Sequence, residues 1–220
     1  MVNKVLRIFK KGAAILCATS LFIISGNFEA AAQAGNKSDI MAKIAKTNAT
    51  YKTVIAPFTQ VKSMKGMKKD IVNQGTLYFN RATNQLNMQY SKPAKNQTLI
   101  TGDKLILITG GTRESYNTKT DPSMSTLKWT LLYCIGGEIE KAAKENSATI
   151  NLLSTDKYYT FELLIGKQIK GGWAKLELSY SKTDHTLCIM KMIEKNGNSV
   201  TYNTPQKELN AALEAGIFNN

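Results

Sequence analysis

From residue 75 onward, apolar and polar side chains alternate over short runs, and turn residues interrupt the runs. The run 75–80 (GTLYFN) sets Leu77 and Phe79 on one face and Thr76, Tyr78 and Asn80 on the other. The run 84–90 repeats the pattern, with Leu86, Met88 and Tyr90 on one side and Asn87 and Gln89 opposite. Further strands are predicted over 97–101, 104–109, 112–117, 148–153, 158–165, 174–180, 186–194 and 199–202. Turn signals separate them: Gly102-Asp103, Gly110-Gly111, Thr155-Asp156, Gly171-Gly172, Thr183-Asp184 and Asn196-Gly197. The last is the strongest hairpin marker in the chain. About ten short strands joined by tight turns are the signature of an antiparallel meander.

Helices flank the strands. Ser38 or Asp39 can cap a first helix, with Ile40, Met41, Ile44, Ala45 and, at its margin, Val54 on the apolar stripe. Lys43 and Lys46 fall on its other side. Residues 125–144 carry Leu127, Leu131, Leu132 and Ile135, then Gly136-Gly137, then a polar helical stretch over 138–145. A final helix is predicted over 205–218, with Pro205 in its first turn and Leu209, Ala212 and Leu213 on its apolar side. So few helices leave a packing question. Either they cover the apolar face of the sheet completely, or a cavity lined by Leu, Ile, Met, Phe and Tyr remains. Met64, Met67, Met88, Met124, Met190 and Met192 are flexible liners for such a site, although each taken singly reads as ordinary core filling.

The N-terminus reads as an export signal. Lys4, Arg7, Lys10 and Lys11 precede an apolar stretch over 12–25, and Ala30-Ala31-Ala32 and Ala32-Gln33-Ala34 offer cleavage sites. The apolar stretch is shorter than the ~20 residues a spanning helix needs. Cleavage after Ala32 or Ala34 divides the chain into a signal peptide, 1–34, and one domain, 35–220. Leu16, in front of Cys17, is too large for a lipoprotein signal. Export permits a disulfide between Cys134 and Cys188, but a domain of this size needs no staple, which favours two buried thiols.

The net charge is +13, and removal of residues 1–34, which hold four basic residues and Glu29, leaves +10 spread over Lys43, Lys46, Lys52 and many later lysines. An exported chain rarely meets nucleic acid, so anionic lipid surfaces, acidic proteins or simple solubility account for the excess. Catalytic groupings are missing. His185 is the only histidine and sits at a turn, where solvent exposure is the expectation. Cys188 lies three residues from it, on a strand whose alternation points the two apart. Glu138 and Glu140 do not face each other on a helix. Gly110-Gly111 lacks the GK[ST] of a phosphate loop, and no metal-ligand spacing is present. These absences point away from an enzyme and toward an exported binding or carrier protein with no cofactor.

Three stretches together resemble the LolA-type periplasmic lipoprotein carriers. Pro57-Phe-Thr-Gln60-Val61 is similar to the family's F-x-Q segment. The run from Gly75 to Arg81, then Leu86-Asn-Met-Gln-Tyr90 and Lys92-Pro93, resembles its G-x-L-x-x-x-R-P…F-x-W-x-Y/M…P pattern. Thr101-Gly102-Asp103-Lys104-Leu105 resembles its D-G-x-x-L/I-W hairpin. Order and spacing agree from about 37 to 110, with Ala82, Leu86, Met88 and Thr101 departing from the family's usual residues. The resemblance implies an open half-barrel of about ten to eleven antiparallel strands, with a helical lid over an apolar cavity. It implies a monomeric periplasmic carrier that takes lipoprotein acyl chains from an inner-membrane ABC transporter to an outer-membrane acceptor. The alternative is a carrier or sensor of another amphiphile, such as a glycolipid, phospholipid or polyene lipid. Leu77, Phe79, Leu86, Met88 and Tyr90 match the cavity positions, and Arg81 matches the arginine implicated in holding the lid closed. Which strand face lines the cavity does not follow from periodicity alone.

Overall fold

The computed structural model describes residues 37–166 and 172–219. The leader over 1–34 and Gly171 of the Gly171-Gly172 turn lie outside the described residues. The strands are β1 (Thr53–Ser63), β2 (Ile71–Asn80), β3 (Gln85–Lys92), β4 (Gln97–Thr101), β5 (Lys104–Thr109), β6 (Thr112–Asn117), β7 (Ala148–Ser154), β8 (Tyr158–Ile165), β9 (Trp173–Ser181), β10 (Leu187–Glu194), β11 (Ser199–Asn203) and β12 (Glu208–Leu209). The helices are α1 (Lys37–Ala49), α2 (Pro122–Ile135) and α3 (Ile139–Glu145).

All the strands form one antiparallel sheet in the order β6-β5-β4-β3-β2-β1-β11-β10-β9-β8-β7, with β12 pairing β1. The sheet does not close, since β6 and β7 are its two free edges. The chain between those edges is α2 and α3. The helices therefore bridge the mouth of an open half-barrel and are tethered at both of its rims. The ten strands expected from alternation are all present, and two further strands join them.

Register settles which face is inward. Val54, Phe79, Leu86, Ile100 and Leu105 stand opposite one another across β1 to β5, and so do Ala56, Leu77, Met88, Thr98 and Leu107. Across the other half, Tyr202, Met190, Leu178 and Phe161 align in the same way. These side chains are buried against Met41 and Ile44 of α1, Met124, Leu131, Leu132 and Ile135 of α2, and Ile139, Ala142 and Ala143 of α3.

Several expectations change. Val54 belongs to β1 and not to the first helix. The second helix starts at Pro122, three residues earlier than expected, because Asp121 Oδ1 accepts from Ser123 N (3.0 Å) and Met124 N (3.2 Å). The helix predicted over 205–218 is absent. Leu209 and Glu208 instead pair with Val54 and Ile55, and Asn210 N donates to Thr53 O (3.0 Å). The segment then crosses the outer face of the sheet, where Asn87 Nδ2 donates to Ile217 O (2.5 Å). Backbone bonds to the β1 edge replace the helical ladder. Met64 is half-buried and Met67 is 52% exposed on the β1–β2 turn, so neither lines the interior.

Candidate functional site

The site is the inward face of β1–β5 and β9–β11 beneath the helices. It has an apolar part and a polar part. Val54, Ala56, Leu77, Met88, Ile135, Leu187, Met190 and Tyr202 surround a mainly apolar cavity of about 30 Å³, with Asn48, Thr186, Thr204 and Lys207 also on its wall. That volume holds a water or two, against the ~300–1,000 Å³ of a typical ligand pocket, so the molecule described is closed. Of the expected lining residues, Leu77 and Met88 border this cavity, and Phe79 and Leu86 are buried in the core beside them. Tyr90 instead borders a second pocket of about 40 Å³, along the same face.

Arg81 follows the last residue of β2, and its backbone N donates to Lys52 O (3.0 Å). Its Nε donates to Tyr51 O (3.1 Å), its Nη2 to Gly136 O (2.9 Å), and its Nη1 lies 3.5 Å from Glu138 Oε1. The acceptor on Gly136 is available for a physical reason. Gly137 N bonds Cys134 O (3.2 Å) and Glu138 N bonds Tyr133 O (2.8 Å), with Gly137 at φ +74°. This is a Schellman end to α2, which leaves the cap carbonyl pointing outward at the negative end of the helix dipole. A guanidinium there gains a charge-assisted bond and a favourable dipole together. Burial lowers the Arg81 pKa and Glu138 opposes the shift, so the group remains a cation.

Four other bonds hold the helices down, and sequence reasoning did not find them; one is Lys37 Nζ donating to Ile150 O (2.8 Å), which ties α1 to β7. Lys128 Nζ donates to Gly102 O (2.7 Å), tying α2 to the β4–β5 turn. Tyr180 OH donates to Cys134 O (2.7 Å), tying α2 to β9. Asn48 Nδ2 donates to His185 O (2.6 Å), tying α1 to the β9–β10 turn. His185 is buried at 7% exposure, against the expectation of a solvent-facing turn histidine. Its ring stacks on Tyr159 at 6.3 Å, and Nε2 is buried with no hydrogen-bond partner. Cys134 and Cys188 are free and buried, and burial pushes the Cys134 thiol up to about 12, which makes it a poor nucleophile.

Toward the β1–β2 turn the inward face becomes polar. Gln60 Nε2 donates to Tyr90 OH (3.0 Å) and Tyr202 OH (2.7 Å), and Asn73 Nδ2 donates to Gln60 Oε1 (2.6 Å). Lys62 is next on this face of β1 and is 8% exposed. Burial lowers its pKa to about 8. Phe58 divides the two parts, its ring 5.1 Å from that of Tyr90 and 6.2 Å from that of Tyr202. It fits because Gly75 has no side chain: a Cβ there would lie 2.7 Å from Phe58 Cζ. The alternation Val54, Ala56, Phe58, Gln60, Lys62 was present in the sequence and is the signal that would have revealed both β1 and this polar end.

No curated protein matches the chain in sequence. Among solved structures it is similar to an uncharacterized conserved protein from Thermus thermophilus, at 11% identity and TM-score 0.49 over 83% of this chain and 92% of that one. It is similar to a LolA superfamily protein from Nitrosomonas europaea, at 10% identity and TM-score 0.42 over 83% and 97% of the two chains. The MucA/MucB complex of Pseudomonas aeruginosa matches at 10% identity and TM-score 0.48, over 83% of this chain and 60% of that one. Residues 49–220 match the family described as "Outer membrane lipoprotein carrier protein LolA", and the chain belongs to that family.

Proposed function

We propose that this chain is a carrier for acyl chains, exported by its leader to the periplasm and acting there as the single domain 35–220. The cargo is the acyl group of lipoproteins, taken from an inner-membrane ABC transporter and passed to an outer-membrane acceptor. The protein performs no chemistry on it. The observation that carries the reading is the clasp of Arg81 on Gly136, which joins the rim of an apolar face to the loop between its covering helices.

Magnitudes support a clasp that tunes transfer and does not forbid it. An acyl chain of about 16 methylenes gains roughly 13 kcal/mol on leaving water at ~0.8 kcal/mol each. A hydrogen bond to a charged group contributes about 1.5–3 kcal/mol. Cargo can therefore displace the clasp, and the closed form hides Leu77, Phe79, Leu86, Met88 and Met190 from water once cargo leaves. Arg81→Leu removes the clasp from the closed state alone. The expected result is retention of cargo about tenfold to a hundredfold stronger, at about 1.4 kcal/mol per decade. Native mass spectrometry of the exported protein and its variant measures this. Acylated protein held more firmly by the variant supports the reading. Free lipid as the sole cargo moves it to the amphiphile alternative, and an apolar site empty in both proteins overturns it.

A further inference from the structure

The two ends of the sheet are charged differently. Where β2 turns into β3 and β4 into β5, Arg81 lies beside Glu138, and Lys119 pairs with Asp103 at 2.7 Å. The opposite end holds the turns over 64–70, 93–96 and 195–198. Those turns and the last residue of β3 carry Lys65, Lys68, Lys69, Lys92, Lys95 and Lys195, all exposed, and Asp70 is the acid among them. Glu194, beside the third turn, is buried and accepts from Asn198 Nδ2 (3.1 Å). Among the described residues none of the six lysines forms an ion pair. The β1–β2 hairpin overhangs this end. β2 pairs with β3 only from Gln74 onward, and Lys65 N donates to Asn198 Oδ1 (2.8 Å), which holds the hairpin beside the turn that bears Lys195. Met67, at its tip, is 52% exposed, and Val72 is 47% exposed.

A surface made for solubility intersperses both signs of charge and keeps large apolar side chains inside. This end does neither. Its chemistry also distinguishes between partners. Two separate apolar side chains are too few for the core of a protein interface, and lysine is depleted in such interfaces. Every cation in these turns is a lysine, which imposes no bidentate geometry on its partner. The surface therefore selects negative charge and not shape. A bilayer offers that, together with an interface into which one apolar tip can enter while the lysine stems keep their ammonium groups at the phosphates. We infer that this end of the half-barrel docks on the surface of an anionic bilayer, with Met67 entering the headgroup region and the six lysines facing lipid phosphates. The inference concerns where the protein sits and does not depend on what its apolar face holds.

The test is flotation of the exported protein with vesicles of phosphatidylcholine alone or mixed with phosphatidylglycerol at about three to one. Binding is expected to the mixed vesicles only, and should be lost in salt of about 1 M, where the Debye length falls to ~3 Å. Replacing three hairpin lysines together (Lys65→Gln, Lys68→Gln, Lys69→Gln) should weaken it on the order of a hundredfold, at ~1 kcal/mol per lysine. Lys52, Lys104 and Lys157 are exposed where β1, β5 and β8 begin, at the other end of the sheet. Changing those three to Gln removes the same charge a strand length away, ~20 Å or more, and should leave binding nearly unchanged at about 0.1 M salt. Met67→Trp should fluoresce in mixed vesicles with brominated acyl chains and be quenched more than the parent protein. Equal losses in the two triple variants overturn the inference, since net charge alone would then attract the protein. Equal binding to neutral vesicles, or a tryptophan at 67 that is not quenched, also overturns it. No binding to either vesicle overturns it in favour of an acidic protein surface. Each of these failures leaves the acyl-carrier reading standing, because the vesicles test docking and cargo retention tests carriage.

Discussion

Lys62 and His185 each hold a titratable group inside the fold, and each leaves a signature in the pH dependence of stability. The Lys62 pKa falls from 10.5 to about 8 on burial. The unfolded chain then binds this proton more tightly than the native one, so the penalty is complete below pH 8 and fades as pH rises toward 10.5. Lys62→Met should raise stability at pH 7 by up to about 3 kcal/mol, and the gain should shrink by pH 10. Urea denaturation at the two pH values measures it, and a pH-independent gain would refute the account. His185 acts at the acid end. Burial, with Lys43 nearby, lowers its pKa below 6.5, and Asp184 opposes the shift. The native state thus resists a proton that the unfolded chain accepts, and stability falls as pH drops through 6.5. The residue also sits at φ +58°, where asparagine is better accommodated. His185→Asn should relieve the backbone and reduce the acid-side slope; a parallel slope in the variant would exclude His185 as its source.

The Gly136-Gly137 turn is where α1, β2, α2 and α3 converge, and it provides the sharpest test of how the elements meet. Gly137 has φ +74°, and a Cβ there would lie 2.8 Å from Asn48 Cγ. Gly197 has φ +87° with nothing within 4 Å of an added Cβ. Gly197→Ala should therefore lose only the backbone term, about 1 kcal/mol, whereas Gly137→Ala should lose at least twice that and loosen the Asn48 bond to His185. Equal losses in thermal unfolding would show that the Asn48 contact carries no weight. The sheet itself was legible because Leu77 and Phe79, or Leu86 and Met88, alternate cleanly with polar neighbours. The strand β1 was not. Gln60 and Lys62 occupy its inward positions, so the apolar period stops halfway, and Pro57 argues against a central strand. Thr53 O accepts from Asn210 N on the β12 side, so alternation puts the missing Pro57 N–H on that side too. There the chain between β11 and β12 leaves β1 unpaired. The C-terminal segment misled for the opposite reason. Its Pro205, Leu209 and Leu213 satisfy a helical pattern locally, but the exposed edge of β1 offers it backbone partners that local propensity does not register. Arg81 was legible only through family resemblance, since its value comes from the orphan carbonyl at the end of α2, 55 residues away.

At the scale of the molecule, the two kinds of contact are distributed unequally, and this determines what moves. The sheet is continuous from β6 to β7, and β1 pairs with β2 over ten residue pairs. The helices, by contrast, are fixed to it by a few polar bonds: Arg81 to Gly136, Lys128 to Gly102, Tyr180 to Cys134, Asn48 to His185 and Lys37 to Ile150. Between those bonds lie apolar contacts, which a hydrocarbon chain can replace with little change in transfer free energy. Because α2 and α3 join the two free edges of the sheet, they can lift without breaking a strand ladder. A cavity of about 30 Å³ must grow roughly tenfold to admit a ligand, and lifting of the helices would supply the volume. Hydrogen exchange should follow it. Monolaurin at saturating concentration should accelerate exchange at the end of α2 and in α3 while β1–β3 remain protected, since local opening draws on the least stable unit. Arg81→Leu without ligand should produce part of the same pattern by removing one of the charge-assisted bonds that hold the helices. Acceleration spread evenly over β1–β3 and the helices would mean that the sheet opens with the lid, and the half-barrel would then not be a fixed platform for its cargo.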